Sequence, residues 1–189
     1  MPLLYATYKE EIKPLVEKLP EEKLLFAAVW TADYLDRQYG IYFNHIGHKE
    51  ERDVLQNAIA FLWNVVDDAA AINLTEQRRH LKLVRNIDID NLDFAIPDQC
   101  GILKIMEATE SALVFVKNKN VNNVVDIGWH PIEVLNSVKD SVIPWYETPP
   151  NYEIDDPFFK EELTAQMRLY SFLNSNEPVS SAEKKIFRL

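Results

Sequence analysis

Two histidines three residues apart in the stretch YFNHIGHKEERD, His45 and His48, stand beside a run of charges and raise the prospect of a metal centre. Zinc or iron needs several ligands converging at about 2 Å, which a helical chain supplies as paired residues three or four apart on one face. Gly47 between the two histidines interrupts that geometry. The His-Glu-x-x-His pattern is absent. Di-iron bundles use Glu-x-x-His, but the residues three before His45, His48, His80 and His130 are Tyr42, His45, Gln77 and Ile127. These histidines read as helix-end or surface groups, and neither a metal site nor a cofactor is expected.

Other reactive patterns fail similar tests. In DIDNLD a calcium loop starting at Asp88 would need Gly at its sixth position and Glu at its twelfth, where the chain has Asp93 and Gln99. Cys100 falls near an expected helix N-terminus, which favours a thiolate, yet no base is placed beside it by spacing, and a packed structural thiol is the simpler reading. The four glycines are isolated, so no phosphate cradle forms. Asp67-Asp68 and Asp155-Asp156 are adjacent pairs, which on a helix diverge. No catalytic residues are assigned.

What remains is acidic and aromatic. Trp145, Tyr146, Tyr152, Phe158 and Phe159 interleave with Glu147, Glu153, Asp155 and Asp156. Rings ringed by carboxylates have the composition of a protein-binding patch, since rings supply buried area at small entropic cost and carboxylates steer a cationic partner. The alternative is a crossover whose rings pack on the fold. Asp88, Asp90, Asp93 and Asp98 form a second acidic candidate on one connecting loop.

The elements that would hold these groups are helical. The segment after Pro20, with Glu21 and Glu22 in its first turn, is apolar all round from Leu24 to Trp30, which places it mid-bundle; Gly40 is expected to bend it and Gly47 to stop it. Val54, Leu55, Ala58, Ile59, Leu62, Val65, Val66 and Ala69 define one stripe of a second helix. Thr75 is expected to cap a basic helix with Leu81 and Val84 inward, and Asp98 one that buries Ile102, Ile105, Met106, Leu113 and Val116. Asn120 or Asn122 begins another, which Gly128 and Pro131 should kink or split. PWYETPPNYEIDDPFF holds four prolines and cannot be regular; Asp156-Pro157 starts a helix through Leu173, and Ser180 with Glu183 has capping-box spacing for a last short one.

The fold predicted is all-α: one domain over residues 1–189, a bundle of about seven helices with a proline-rich acidic crossover near the C-terminus. The 30 acidic against 20 basic side chains give a net charge of −10, which repels nucleic acid and anionic membranes and suits a basic protein partner. A single cysteine fits a reducing cytoplasm, and no apolar run approaches the ~20 residues that span a bilayer.

Over residues 15 to 140 the chain resembles the bacterial YjaG-like family of all-helical domains of unknown function. Val16-Glu17-Lys18-Leu19 followed by Phe26-Ala27-Ala28 is similar to the family's opening pattern, Asp33, Tyr39 and Trp63 to its acidic, tyrosine and tryptophan positions, and Gly101-Ile102 with Ile105-Met106-Glu107-Ala108 to a later one. Asp33-Tyr34 stands where the family has Glu-Arg, and Arg37-Gln38 where it has Pro-Asn. The resemblance implies a helical bundle and supplies no catalytic residues.

The function expected is that of a non-enzymatic acidic binding protein, most concretely an immunity protein that blocks the active surface of a cationic toxin such as a nuclease. Its partner-binding residues would be Trp145, Tyr146, Glu147, Tyr152, Glu153, Asp155 and Asp156, with Asp88, Asp90 and Asp93. A helical enzyme or small-ligand protein with a pocket near Cys100, Asp33 and Tyr39 is the alternative. A homo-oligomer such as a homodimer is the third.

Overall fold

The computed structural model describes residues 5–142, 157–175 and 178–183. Their regular elements are α1 (Tyr5–Val16), α2 (Glu21–Tyr39), α3 (Tyr42–His45), α4 (Lys49–Asp67), α5 (Leu74–Arg85), α6 (Pro97–Asn118), α7 (Val121–Asp140) and α8 (Pro157–Leu173), with single 3-10 turns at Ala69–Ala71 and Ser181–Glu183. No strand occurs among the described residues. The proline-rich acidic crossover lies outside them.

Helix α2 is the axis of the bundle. Every residue from Lys23 to Ala32 is buried, as an all-round apolar run requires, and α4, α6 and α7 pack around it. The buried Lys23 turns its ammonium to the Ser175 carbonyl just beyond α8. Gly40 ends α2, and α3 follows as a separate turn before Gly47 reverses the chain at φ 81°.

Helix α4 buries Leu55, Ala58, Ile59, Leu62 and Val65 as the stripe predicts, but Ala69 falls past its end and is exposed. Asn73, not Thr75, caps α5: its Oδ1 accepts from the Thr75 and Glu76 amides at 3.0 and 3.2 Å. Val84 of α5 is buried and Leu81 only half-buried, while Gln77 and His80 complete the inner face. Helix α6 begins at Pro97 after Ile96 and has no side-chain cap, so Asp98 lies within the first turn instead of at the cap. The buried edge expected for α6 is observed in full.

Helix α7 starts at Asn120, whose side chain accepts from the Asn122 amide, and runs unbroken through Gly128 and Pro131. The expected break is absent because neighbours clamp this stretch: Pro131 and Ile132 are buried, and Gln166 of α8 donates to the Gly128 carbonyl. Helix α1, which no sequence signal announced, adds Tyr8, Ile12 and Val16 to the core at helical spacing. Of the capping box expected at Ser180 and Glu183 one half forms: Glu183 Oε2 accepts from the Ser180 amide and hydroxyl, while Ser180 Oγ accepts from the Ala182 amide, around a 3-10 turn that Asp67 holds to the end of α4.

Candidate functional site

The acidic loop between α5 and α6 is built by alternation. Ile87, Ile89 and Leu92 turn toward the core, which leaves Asp88, Asp90 and Asp93 exposed. The loop's side chains and one from α6 set its shape: Asp88 Oδ1 accepts from the Asp90 amide and Asp93 Oδ1 from the Ala95 amide, each at 3.0 Å, and Gln99 Oε1 of α6 accepts from the Asp93 amide at 2.6 Å. Phe94 and Ile96 stay 38% and 43% exposed beside these carboxylates. Sequence reading named the three aspartates and missed Phe94 and Ile96, although both stand in the same DFAIPD stretch. Asp98 is not part of this loop.

Trp145, Tyr146, Glu147, Tyr152, Glu153, Asp155 and Asp156 lie outside the described residues. Phe159, grouped with them as an anchor, is instead fully buried, because Pro157 starts α8 before it and its ring faces the bundle.

His45 ends α3 with its ring against Tyr42 at 5.4 Å, and His48 precedes α4 with Nδ1 3.4 Å from Glu51 Oε1. Both are helix-end groups. A denser arrangement lies on the seam of α6 and α7, which run antiparallel through the short turn at Lys119 and Asn120. Lys104 and Glu107 of α6 face His130 and Glu133 of α7. The Lys104 ammonium is 2.7 Å from Glu107 Oε2 and 3.1 Å from Glu133 Oε2; His130 Nδ1 is 2.8 Å from Glu133 Oε2 and 3.7 Å from Glu107 Oε2. Burial opposes charge on Glu133, but His130 and Lys104 prevail and hold its carboxyl below the ordinary range. Burial likewise works against the Lys104 ammonium, and Glu107 and Glu133 outweigh it, raising its pKa. In the Glu-x-x-His pattern of di-iron bundles the Glu stands three residues before the His. Here the Glu stands three after His130, and the second carboxylate comes from another helix.

One turn from this cluster Cys100 is buried, and burial pushes its thiol up despite Lys104 and Ser137, which act the other way. Tyr39 lies near enough to Cys100 for the charges to interact; burial first, then Tyr34 and Glu162, raise its phenol above the ordinary value of 10.0. Asp33 is committed elsewhere, accepting from Trp63 Nε1 at 3.2 Å and Arg37 Nε at 2.9 Å. A groove of about 480 Å³ between α4 and α5 is lined by Phe61, Asn57, Asn64, Arg79 and His80 among others, and by none of Cys100, Asp33 or Tyr39.

No helix among the described residues is long and apolar enough to cross a membrane. Comparison with protein-family models, curated proteins and solved structures found no match.

Proposed function

We propose that this chain is a non-enzymatic binding protein of the bacterial cytoplasm, of the immunity type, which neutralises a basic toxin domain by covering its active surface. The observation that carries the reading is the loop of residues 88–96: Phe94 and Ile96 exposed among Asp88, Asp90 and Asp93 on a backbone fastened by side chains of the loop and of α6. Carboxylates raise the encounter rate with a cationic surface, the two apolar groups gain area on burial, and a pre-shaped loop loses little entropy. A complex of this kind has a standard interface of about 1,600 Å². The reading takes the chain as a divergent relative of the YjaG-like helical domains. The contacts of Asp33 with Trp63 and of Tyr39 with Gly101 support it, since all four positions carry the resemblance.

The test is capture from the native cell with the wild-type chain and with F94A and D88N/D90N/D93N as paired baits. A basic protein retained by the wild type, lost with F94A and recruited more slowly by the triple variant supports the reading. Equal retention of the same partner by all three removes the loop from the interface.

A further inference from the structure

We infer that Glu107, His130 and Glu133 form a binding site for a divalent transition cation such as Zn²⁺, which the ammonium of Lys104 fills in the metal-free protein. Each residue offers one ligand atom, and these three atoms all lie within 4.8 Å of one another. Four ligands around zinc at 2.0–2.1 Å stand about 3.3 Å apart if tetrahedral. The separations of His130 Nδ1 from Glu133 Oε2 and Glu107 Oε2, 2.8 and 3.7 Å, bracket that spacing.

A separate observation points the same way. The two oxygens facing His130 Nδ1 also hold the Lys104 ammonium, at 2.7 and 3.1 Å, so a cation already occupies their point of convergence. A divalent ion in the place of that ammonium would keep both carboxylates paired with a cation. Lysine's flexible four-carbon stem lets the ammonium swing out to water when displaced. The side chains of Glu107 and Glu133 are 40% and 31% exposed, so a hydrated ion can enter and keep water in its fourth position. In the metal-free protein His130 Nδ1 donates to the Glu133 carboxylate at 2.8 Å; on binding it gives up that hydrogen, the metal takes the Nδ1 lone pair and the ring keeps its hydrogen on Nε2, with no electron transferred. Sulfur takes no part. The ligand set of one imidazole and two carboxylates suits zinc or its first-row neighbours better than calcium, which asks for six or more oxygens.

The site is tested by titrating the full chain with ZnCl₂ in a calorimeter, with circular dichroism to verify folding of each variant. The wild type should take up one equivalent. Removing the competing ammonium in K104Q should tighten binding by about tenfold or more, and H130Q should weaken it by about tenfold or more. H45Q/H48Q should bind as the wild type does. Should H130Q fail to fold, Co²⁺ added to the wild type gives a second readout: the strong visible band of four-coordinate cobalt supports the site, and the weak spectrum of the hydrated ion overturns it. Absence of saturable zinc uptake by both wild type and K104Q overturns it, as does folded H130Q that binds unchanged, or uptake abolished by H45Q/H48Q.

Discussion

Tyr39 of α2 lies directly against Gly101 of α6: a β-carbon at residue 101 would sit 2.5 Å from Tyr39 Cγ and 2.7 Å from its Cβ. Those are the root atoms of the ring, fixed by the α2 backbone, so the crowding cannot be relieved by a flexible tip. An alanine in mid-helix is otherwise favoured over glycine by about 1 kcal/mol. Here overpacking, typically about 1–3 kcal/mol, exceeds that gain. G101A is expected to be destabilised by up to about 2 kcal/mol, a fall of a few degrees in Tm. The penalty should shrink in a Y39A background, as a double-mutant cycle by urea denaturation would reveal; an unchanged penalty would mean that the clash lies elsewhere.

Gln166 of α8 joins three helices from a fully buried position. Tyr8 of α1 donates to its Oε1 at 2.7 Å, and its Nε2 donates to the Gly128 carbonyl at 2.8 Å and to Glu162 Oε1 at 2.7 Å. Replacing the amide by an alkyl group of similar volume deletes all these bonds and leaves polar atoms in the core. Q166L should lose about 3 kcal/mol, at about 1–3 kcal/mol per abandoned buried group with some relaxation. Chemical denaturation measures it, and a loss below about 1 kcal/mol would show that water or neighbours make good the contacts.

These two relationships mark where the sequence was legible and where it was not. An all-round apolar run located α2, apolar spacing located α4 and the inner edge of α6, and an asparagine cap the start of α7, because each is a property of one helix alone. Glycine is ambiguous in isolation. Gly128 signals a weak point of α7 only until Tyr8 is seen to occupy the space beside it, where a β-carbon would lie 2.3 Å from the hydroxyl. Helix α1 escaped notice because its apolar face is short and Pro14 falls inside it. The cluster of Lys104, Glu107, His130 and Glu133 was unreadable for a different reason: each helix contributes one unremarkable pair, and only the α6–α7 turn fixes which pairs meet. The acidic loop was half legible, its charges visible in composition and its exposed Phe94 and Ile96 not.

If the acidic loop is held by its side chains, breaking one should loosen it without unfolding the bundle. Asp93 carries one of these contacts in its side chain, whose Oδ1 accepts from the Ala95 amide. D93A removes that exposed contact and keeps the backbone bond to Gln99, so it should alter global stability by no more than about 1 kcal/mol. Backbone amide exchange of residues 88–96 should nonetheless accelerate, while α2 and α6 keep their protection. Unaltered exchange in the loop would assign its shape to the inward Ile87, Ile89 and Leu92 instead.

His80 gives the fold a dependence on pH whose sign can be worked out. Its ring is buried and stacks on Phe61 of α4 at a centroid distance of 5.0 Å, and Nε2 is 3.3 Å from Arg79 Nη2 and 4.0 Å from Glu76 Oε2. An arginine N–H can donate only to a lone pair, so this contact needs the neutral ring with its hydrogen on Nδ1. Burial first, and Arg79 second, lower the His80 pKa from its ordinary 6.5, with Glu76 opposing weakly. The unfolded chain therefore binds a proton here before the folded one does. Stability is fully present above 6.5 and is lost as pH falls from there toward the lowered folded value. The carboxyl of Glu133, held below 4.5, begins to cost stability only under more acidic conditions, while Asp36, whose carboxyl pKa burial raises, acts in the opposite sense to His80, so the comparison with H80Q isolates the histidine. Urea midpoints measured between about pH 7 and pH 5 should fall more, or rise less, for the wild type than for H80Q. Equal changes in the two proteins would remove His80 from the pH dependence.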